Sequence, residues 1–238
     1  MIELFYSSSP NVYKVMIALE EMQLDYCVTF VDLGKGQQFD PERIGGSLAA
    51  KVPVILDHAP AWGGAAFSVM ESGAILQYLA EKSSLFLSRS PEKRSETMQW
   101  LFWQMGNLGP IGGQFWHFHA FAERIEPQTN FAYPRRRYAR MLAALWSVME
   151  KRLAQTSYLA SDYSIADMAC YPWVRYLLST ENEVSFPRLA AWRDAITARP
   201  AAVRAYEKNA QIQTGYDRNE RGGVAYSFDA LRQHTIIA

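Results

Sequence analysis

Apolar residues fall along this chain in two rhythms, and the change comes near residue 83. Before it lie short runs with the length and residue types of strands: Ile2-Glu3-Leu4-Phe5-Tyr6, Tyr26 to Val31, Val54 to Leu56 and Phe67 to Met70. Helical spacing runs from Val12 through Val15, Met16 and Leu19 to Met22, and again from Ala74 to Leu79. The order β-α-β and then β-β-α predicts a small mixed sheet flanked by helices. The stretch Leu33-Gly34-Lys35-Gly36-Gln37-Gln38 is polar and punctuated by glycine, and is expected to be mobile and exposed.

After Ser83 the strand signals fade. Pro91 follows Ser90, a capping residue before a first-turn proline, and opens a helix carrying Trp100, Leu101, Trp103, Gln104 and Leu108. That helix is expected to bend or break at Gly109-Pro110. Pro134 opens another, with Tyr138, Met141, Leu142, Leu145, Met149 and Leu153 on one face, and Pro187 and Pro200 open two more. Ser164-Ile165-Ala166-Asp167 has the form of a capping box, with Tyr163 and Met168 placed as its hydrophobic staple. From about Gly215 onward the preferences weaken into a tail.

Composition narrows the function. Of 238 residues, 49% are hydrophobic, and 24 basic side chains balance 24 acidic ones with no basic block. A nucleic-acid or anionic-membrane surface is therefore not expected. Apolar runs fall short of the ~18 residues that span a bilayer, and the N-terminus opens directly into a strand pattern rather than a leader. Cys27 and Cys170 lie far apart without a C-x-x-C spacing, so the chain is expected to lack a redox dithiol, and the cytoplasm is the expected compartment. His117 and His119, two apart on an expected helix, point to different faces; no metal site is expected.

The turn Ser7-Ser8-Ser9-Pro10-Asn11 joins the first strand to the first helix. A helix N-terminus reached in this way gathers hydroxyls, an amide and backbone N–H groups at one point, and such a point attracts anions, a thiolate among them. A free thiol near pKa 8.5 is only ~3% ionised at pH 7. One hydrogen bond to the charged sulfur supplies ~1.5–3 kcal/mol and a helix N-terminus ~0.3–1, which together lower the pKa by about 1–2 units. Ser9 and Asn11 have the chemistry for this; they have equally the chemistry of ordinary helix caps.

Several further motifs fall in order: Ser9-Pro10-Asn11-x-x-Lys14, Asp32-Leu33-Gly34-Lys35-Gly36-x-Gln38-Phe39, Lys51-Val52-Pro53, Glu71-Ser72-Gly73-Ala74-Ile75-Leu76 and Gln99-Trp100-Leu101-Phe102-Trp103-Gln104. With the S-I-A-D box they resemble the cytosolic glutathione transferases, and within them the bacterial Nu class, over residues 1 to 210. The resemblance implies an α/β plus all-α fold: a thioredoxin-like glutathione-binding domain at 1–82, a linker at 83–90, a helical second-substrate domain at 91–210 and a tail at 211–238. It implies a cytoplasmic homodimer that uses bound glutathione to reduce a small disulfide. Conjugation of an electrophile or cleavage of an aryl ether is the alternative, and a catalytically silent glutathione-binding scaffold is another. Ser9 and Asn11 become the catalytic pair, with Tyr6 as the rival hydroxyl that other classes use at this strand end. Val52, ahead of a cis Pro53, would pair with the cysteinyl backbone; Glu71 and Ser72 would hold the γ-glutamyl end. Gln38 and Lys51 would make further contacts, and Arg137 would reach the glutathione of the other subunit. Trp103, Phe115, Trp116, Phe118 and Tyr133 would wall the second-substrate side. Two departures from the class stand out: Ser9 replaces its usual Thr, and Leu48-Ala49-Ala50 replaces a Pro-Asn-Asn type turn, removing polar groups near the glycyl end.

Overall fold

The four apolar runs of the first part pair into one sheet. In the computed structural model, which describes residues 1–213, β1 (Ile2–Tyr6), β2 (Tyr26–Phe30), β3 (Val54–Asp57) and β4 (Phe67–Met70) take the order β2-β1-β3-β4. β1 runs parallel to β2 and antiparallel to β3, and β3 antiparallel to β4. Two helices complete this part, α1 (Pro10–Glu21) and α2 (Ser72–Ser83), packed on each other. Residues 211–213 of the expected tail belong to the last helix, Pro200–Gln213, and the rest of it lies outside the described residues.

Period two sorts the sheet's side chains onto two faces. On one, Phe5 opposite Val54 packs with Val31 and Ile44. Gly45 makes this approach feasible: at φ +63 its Cβ position lies 2.6 Å from the Phe5 ring, so any side chain would collide with it. The other face carries Ile2, Leu4 and Ile55, none more than 1% exposed, and Asp57. Burial alone would raise the Asp57 carboxyl. The Lys82 ammonium at 2.7 Å, the Tyr78 hydroxyl at 2.6 Å and the Ala59 N–H at 3.0 Å outweigh it and hold the group below the usual carboxylate range.

The chain forms two compact units, Met1–Ser83 together with residues 204–213, and Ser84–Val203. The sequence groups all of 91–210 with the helical part. Residues from 204 on join the first unit instead, because Arg204 pairs with Glu20 at 2.7 Å, Tyr206 stacks on Tyr13 and Lys208 lies over the Tyr26 ring.

Described by itself, the second unit is helical: α3 (Pro91–Trp103), α4 (Gly109–Trp116), α5 (Ala122–Ile125), α6 (Ala132–Leu153), α7 (Ile165–Leu177), α8 (Thr180–Glu183) and α9 (Pro187–Thr197), with the first residues of α10 (Pro200–Gln213). Of the bend or break expected at Gly109-Pro110, no break occurs. A π-helical turn, Gln104–Leu108, links α3 to α4. Its five-residue bond, from the Gly109 N–H to the Gln104 carbonyl, widens the helix just before Pro110, whose ring and missing N–H disfavour an ordinary α-helical turn. A second such turn, His117–Phe121, joins α4 to α5. Gly112 lets α4 close on α7, since a Cβ there would sit 2.8 Å from the Trp173 ring.

Ser90 caps α3 by position but makes no side-chain bond; its own N–H donates to Ser88 Oγ. On α6 the buried stripe is Leu142, Trp146 and Met149, with Met141 and Leu145 at its margin. The Glu150 carboxylate, also from α6, accepts from the N–H groups of Arg188 (3.2 Å) and Leu189 (2.8 Å) and so caps α9.

The box at Ser164 forms as its spacing requires, and Asp167 does more than close it. Its carboxylate is fully buried and accepts from the Ser164 N–H at 3.1 Å, the Leu159 N–H at 3.0 Å and the Trp192 indole N–H at 2.9 Å. Burial pushes its pKa up, to about 6, against the downward pull of those bonds.

Candidate functional site

Strand β1 ends at Tyr6, and three residues later Ser9 stands in extended backbone at the N-cap of α1. Its hydroxyl oxygen accepts from the Val12 N–H at 3.4 Å, a long bond that leaves the O–H as a donor. Pro10 has no N–H, and the Ser9 carbonyl takes both the Val12 and the Tyr13 N–H at 3.1 Å. This corner therefore offers side-chain donors more than the backbone donors its sequence suggests. Ser9 and Asn11 are both half-buried, open enough to meet a ligand. Tyr6, the rival hydroxyl, is 0% exposed and packs against Phe30, so its oxygen is sealed in the core.

At the head of α2, Glu71 has φ 67 and is exposed, and its carbonyl accepts the Ile75 N–H at 2.9 Å. Glu71 thus holds the cap position and Ser72, 4% exposed, is the first residue of the helix, so the plain capping role is not Ser72's. A left-handed glutamate costs of order 1–3 kcal/mol, strain that clusters at functional sites. Lys14, from α1, reaches the same point: fully buried, its ammonium donates to Ser72 Oγ at 3.2 Å.

The loop expected to be exposed is folded. Asp32 accepts from the Gly34 and Lys35 N–H groups, and the Gln37 side-chain oxygen accepts from the Asp32 N–H. Gly36, at φ 71, turns the chain into a 3-10 turn at Gln37–Phe39, which buries Gln38 to 4% exposure. Its Oε1 has no hydrogen-bond partner among the described residues. A buried acceptor left so costs about 1–3 kcal/mol, which a ligand donor or a water would recover. The Val52–Pro53 bond is cis, with Val52 half-buried and Pro53 buried ahead of β3; Lys51 is exposed and Ala50 has φ 52.

Residues 9, 11, 14, 38, 51–53, 71 and 72 all belong to the first unit, whereas Arg137 is exposed on α6 of the second. Neither cysteine lies at the α1 turn. Cys27 is exposed on the edge strand β2, contrary to the burial its apolar run suggests, and Cys170 is buried in α7. Sequence reasoning did not anticipate that Lys14 is buried beside Ser72. The signal was a lone lysine inside the run Val12-Tyr13-Lys14-Val15-Met16-Ile17, where a solvated face leaves no room.

Residues 3–81 match the glutathione S-transferase N-terminal domain, and residues 136–200 the glutathione S-transferase C-terminal domain. The chain belongs to the glutathione S-transferase family. It is 44% identical over 222 residues to the disulfide-bond oxidoreductase YfcG of Escherichia coli, covering 92% of this chain and 100% of that protein. Among solved structures, it resembles a glutathione transferase family member of Pseudomonas fluorescens with two glutathione bound, at TM-score 0.79 and 36% identity over 86% of this chain and 91% of the other. A glutathione transferase of Pseudomonas putida, with one glutathione disulfide bound per subunit, matches at TM-score 0.78 and 38% identity, over 86% and 90%.

In the helical unit of this glutathione S-transferase, the expected wall aromatics are pinned by their neighbours. Trp103 meets Trp100 edge-on, Phe115 stacks on His119, Trp116 lies against Tyr176, and Phe118 stacks on Tyr138. The His119 ring is further fixed by a 2.8 Å contact of Nδ1 with the Phe115 carbonyl. Tyr133 is 65% exposed.

Proposed function

We propose that this glutathione S-transferase reduces small disulfides with bound glutathione as the nucleophile. The observation that carries the reading is the α1 corner itself: residues 7–11 supply hydroxyls and an amide but no thiol, so the reacting sulfur must arrive with the substrate. In the first step a glutathione thiolate attacks one sulfur of the disulfide, giving a mixed disulfide and releasing the other half as thiolate. In the second, another glutathione attacks the mixed disulfide. The balance is two glutathiones oxidised to one glutathione disulfide and one substrate disulfide reduced to two thiols, the protons passing from glutathione to the products. The naming of the Escherichia coli relative and the two glutathiones in the Pseudomonas fluorescens structure support this balance.

Each residue has a stated part in the reading. The Ser9 hydroxyl donates to the thiolate and Asn11 assists. The Val52 backbone pairs with the cysteinyl unit ahead of Pro53, Glu71 accepts from the γ-glutamyl ammonium, and Ser72 donates to its carboxylate. Gln38 offers its orphan acceptor and Lys51 its ammonium. A Nu-class homodimer in a reducing, cytoplasmic compartment fits the demand for reduced glutathione, with Arg137 serving the glutathione held by the other copy. Reduction of 2-hydroxyethyl disulfide by glutathione tests the reading. Turnover that also needs Ser9 supports it; conjugation of aryl halides without any disulfide reduction replaces it with transfer to electrophiles.

A further inference from the structure

We propose that the pocket walled by residues 84–89, the start of α3 and the loop before α7 binds a small organic carboxylate carrying a short apolar body. The inference stands apart from the proposed glutathione reaction: every lining residue belongs to the helical unit, and none has a part in that reaction. The pocket holds about 350 Å³, at the small end of the range for small-molecule sites. Among the described residues, six that are not glycine have left-handed backbone, and three of them border this pocket: Ser84 at φ 58, Phe86 at φ 58 and Ser161 at φ 64. Such conformations persist only where the surroundings hold them, so the wall has its shape before any ligand arrives. The Ile165 N–H, donating to the Phe86 carbonyl at 3.2 Å, ties that wall to the head of α7.

The polar side of the pocket has hydrogens to give. Arg89 directs one guanidinium N–H at Ser84 Oγ, at 3.1 Å, and meets no carboxylate among the described residues. Lys93 pairs with Asp162 at 2.9 Å, which neutralises the one carboxylate lining the pocket and leaves two ammonium hydrogens. Ser84 Oγ accepts from Arg89, and Ser88 Oγ from the Ser90 N–H at 3.1 Å, so each keeps its O–H as a donor. The Thr97 and Ser164 hydroxyls already donate, to the Lys93 carbonyl and to Asp167. What remains is a donor set with one uncompensated positive charge. A carboxylate, which only accepts, fits it and takes the guanidinium fork in two parallel bonds. The rest of the wall is apolar: Leu85 is 46% exposed, Leu87 is buried, and the Phe86 ring meets Tyr163 edge-on. An inorganic anion would leave these side chains against water, whereas an acid with a phenyl or branched alkyl group covers them.

The probe is 3-phenylpropionate, titrated calorimetrically into the full chain in excess glutathione, beside 3-phenylpropanamide and inorganic phosphate. The expected result is one site, at which the amide and phosphate each bind at least about tenfold more weakly than the acid. Arg89→Gln should weaken the acid about tenfold to a hundredfold and leave the amide unchanged, while Arg89→Lys keeps part of the affinity. Leu85→Asp sets a like charge in the pocket and should abolish binding of the acid. Arg89 and Leu85 are both exposed, so a wild-type denaturation midpoint in each variant shows that lost binding is not lost fold. If Arg89→Gln does not fold, Arg89→Lys and Leu85→Asp are read by the same criteria. Equal binding of the amide makes the pocket a merely apolar hole and overturns the inference; equal binding of phosphate makes it a simple anion site and does the same. An acid whose binding survives both Arg89→Gln and Leu85→Asp, or is displaced by glutathione, sits elsewhere and overturns it too, as does the absence of binding at millimolar acid.

Discussion

Replacing Ser9 by alanine removes two interactions that one structure superimposes, and their magnitudes separate them. The cap bond is long, 3.4 Å to the Val12 N–H, and the Ser9 carbonyl already takes that same N–H at 3.1 Å. Its loss belongs at the low end of the ~0.5–2 kcal/mol range for N-cap removal. The hydroxyl's donation to a thiolate is worth ~1.5–3 kcal/mol, or about 1–2 pKa units at 1.36 kcal/mol each. Ser9→Ala should therefore raise the thiol pKa of bound glutathione by about 1–2 units while lowering stability by about 0.5–1 kcal/mol. Activity should fall about tenfold or more at pH 7 and much less at pH 9, where the unassisted thiol ionises on its own. The thiolate absorbance of bound glutathione, titrated against pH, reads the first effect, and urea unfolding of the free protein reads the second. Ser9→Thr keeps both interactions and is the control; Tyr6→Phe, altering an oxygen with no exposure, should leave the titration in place. A Ser9→Ala protein that loses its cap stability but titrates like the wild type would leave Ser9 a helix cap and nothing more.

Asp167→Ala leaves the buried N–H groups of Ser164, Leu159 and Trp192 without their acceptor and should cost about 3–5 kcal/mol in chemical denaturation. Because its folded pKa, about 6, stands above the unfolded value near 3.9, the folded state holds the extra proton between them. Stability from this group is full below pH 4 and falls by roughly 3 kcal/mol as pH rises to about 6; unfolding of Asp167→Asn across that window should show this fall removed. Ala50 sits at φ 52, where a Cβ is strained, so Ala50→Gly should stabilise by about 0.4–1 kcal/mol, and a lower denaturation midpoint would contradict that account. Arg137→Ala should weaken glutathione binding while leaving stability within about 0.5 kcal/mol, whereas unchanged affinity, or a monomer in sedimentation velocity, removes it from the site. Cys27→Ala/Cys170→Ser should keep its disulfide-reductase turnover per folded molecule, and a loss of turnover in well-folded protein would mean that a protein thiol carries electrons.

Punctuation was the legible part of this sequence. Proline after a serine marked the starts of α1 and α3, and proline alone those of α9 and α10, because a fixed φ and a missing N–H suit a first turn whatever the packing. Run length located β1 to β4, because each is a short apolar run bounded by turn residues. What stayed hidden depended on neighbours distant in sequence. The π-helical turn ahead of Pro110 is an outcome of packing, with Gly112 closed on Trp173, and proline alone argues for a break. Gln38 reads as loop and the burial of Lys14 is not anticipated, because burial of a polar group is decided by what folds over it rather than by its own preference. Ser90 takes the cap position that its spacing predicts yet makes no side-chain cap bond, a detail of rotamer that spacing does not settle.

The exposure of Cys27 changes the reason for expecting it to be inert, and the sheet register supplies a better one. A strand run of Tyr26 to Phe30 reads as buried, yet β2 is the edge of the sheet and presents Cys27 to solvent. Access is therefore no obstacle, and burial explains only Cys170. Position still separates Cys27 from the chemistry. In the parallel pairing of β1 with β2, Cys27 lies opposite Glu3, near the start of β1, while Tyr6, where the chain turns toward Ser9, lies opposite Phe30. Three residues of strand separate the two levels, about 10 Å at ~3.3 Å per residue. An exchange of sulfur partners needs the reacting atoms in contact, and a thiol that far along the sheet is outside the donors that Ser9 and Asn11 provide. In the proposed mechanism the corner at the end of β1 serves a thiol that arrives with the substrate, and the variant lacking both cysteines isolates that feature from everything else in the mechanism.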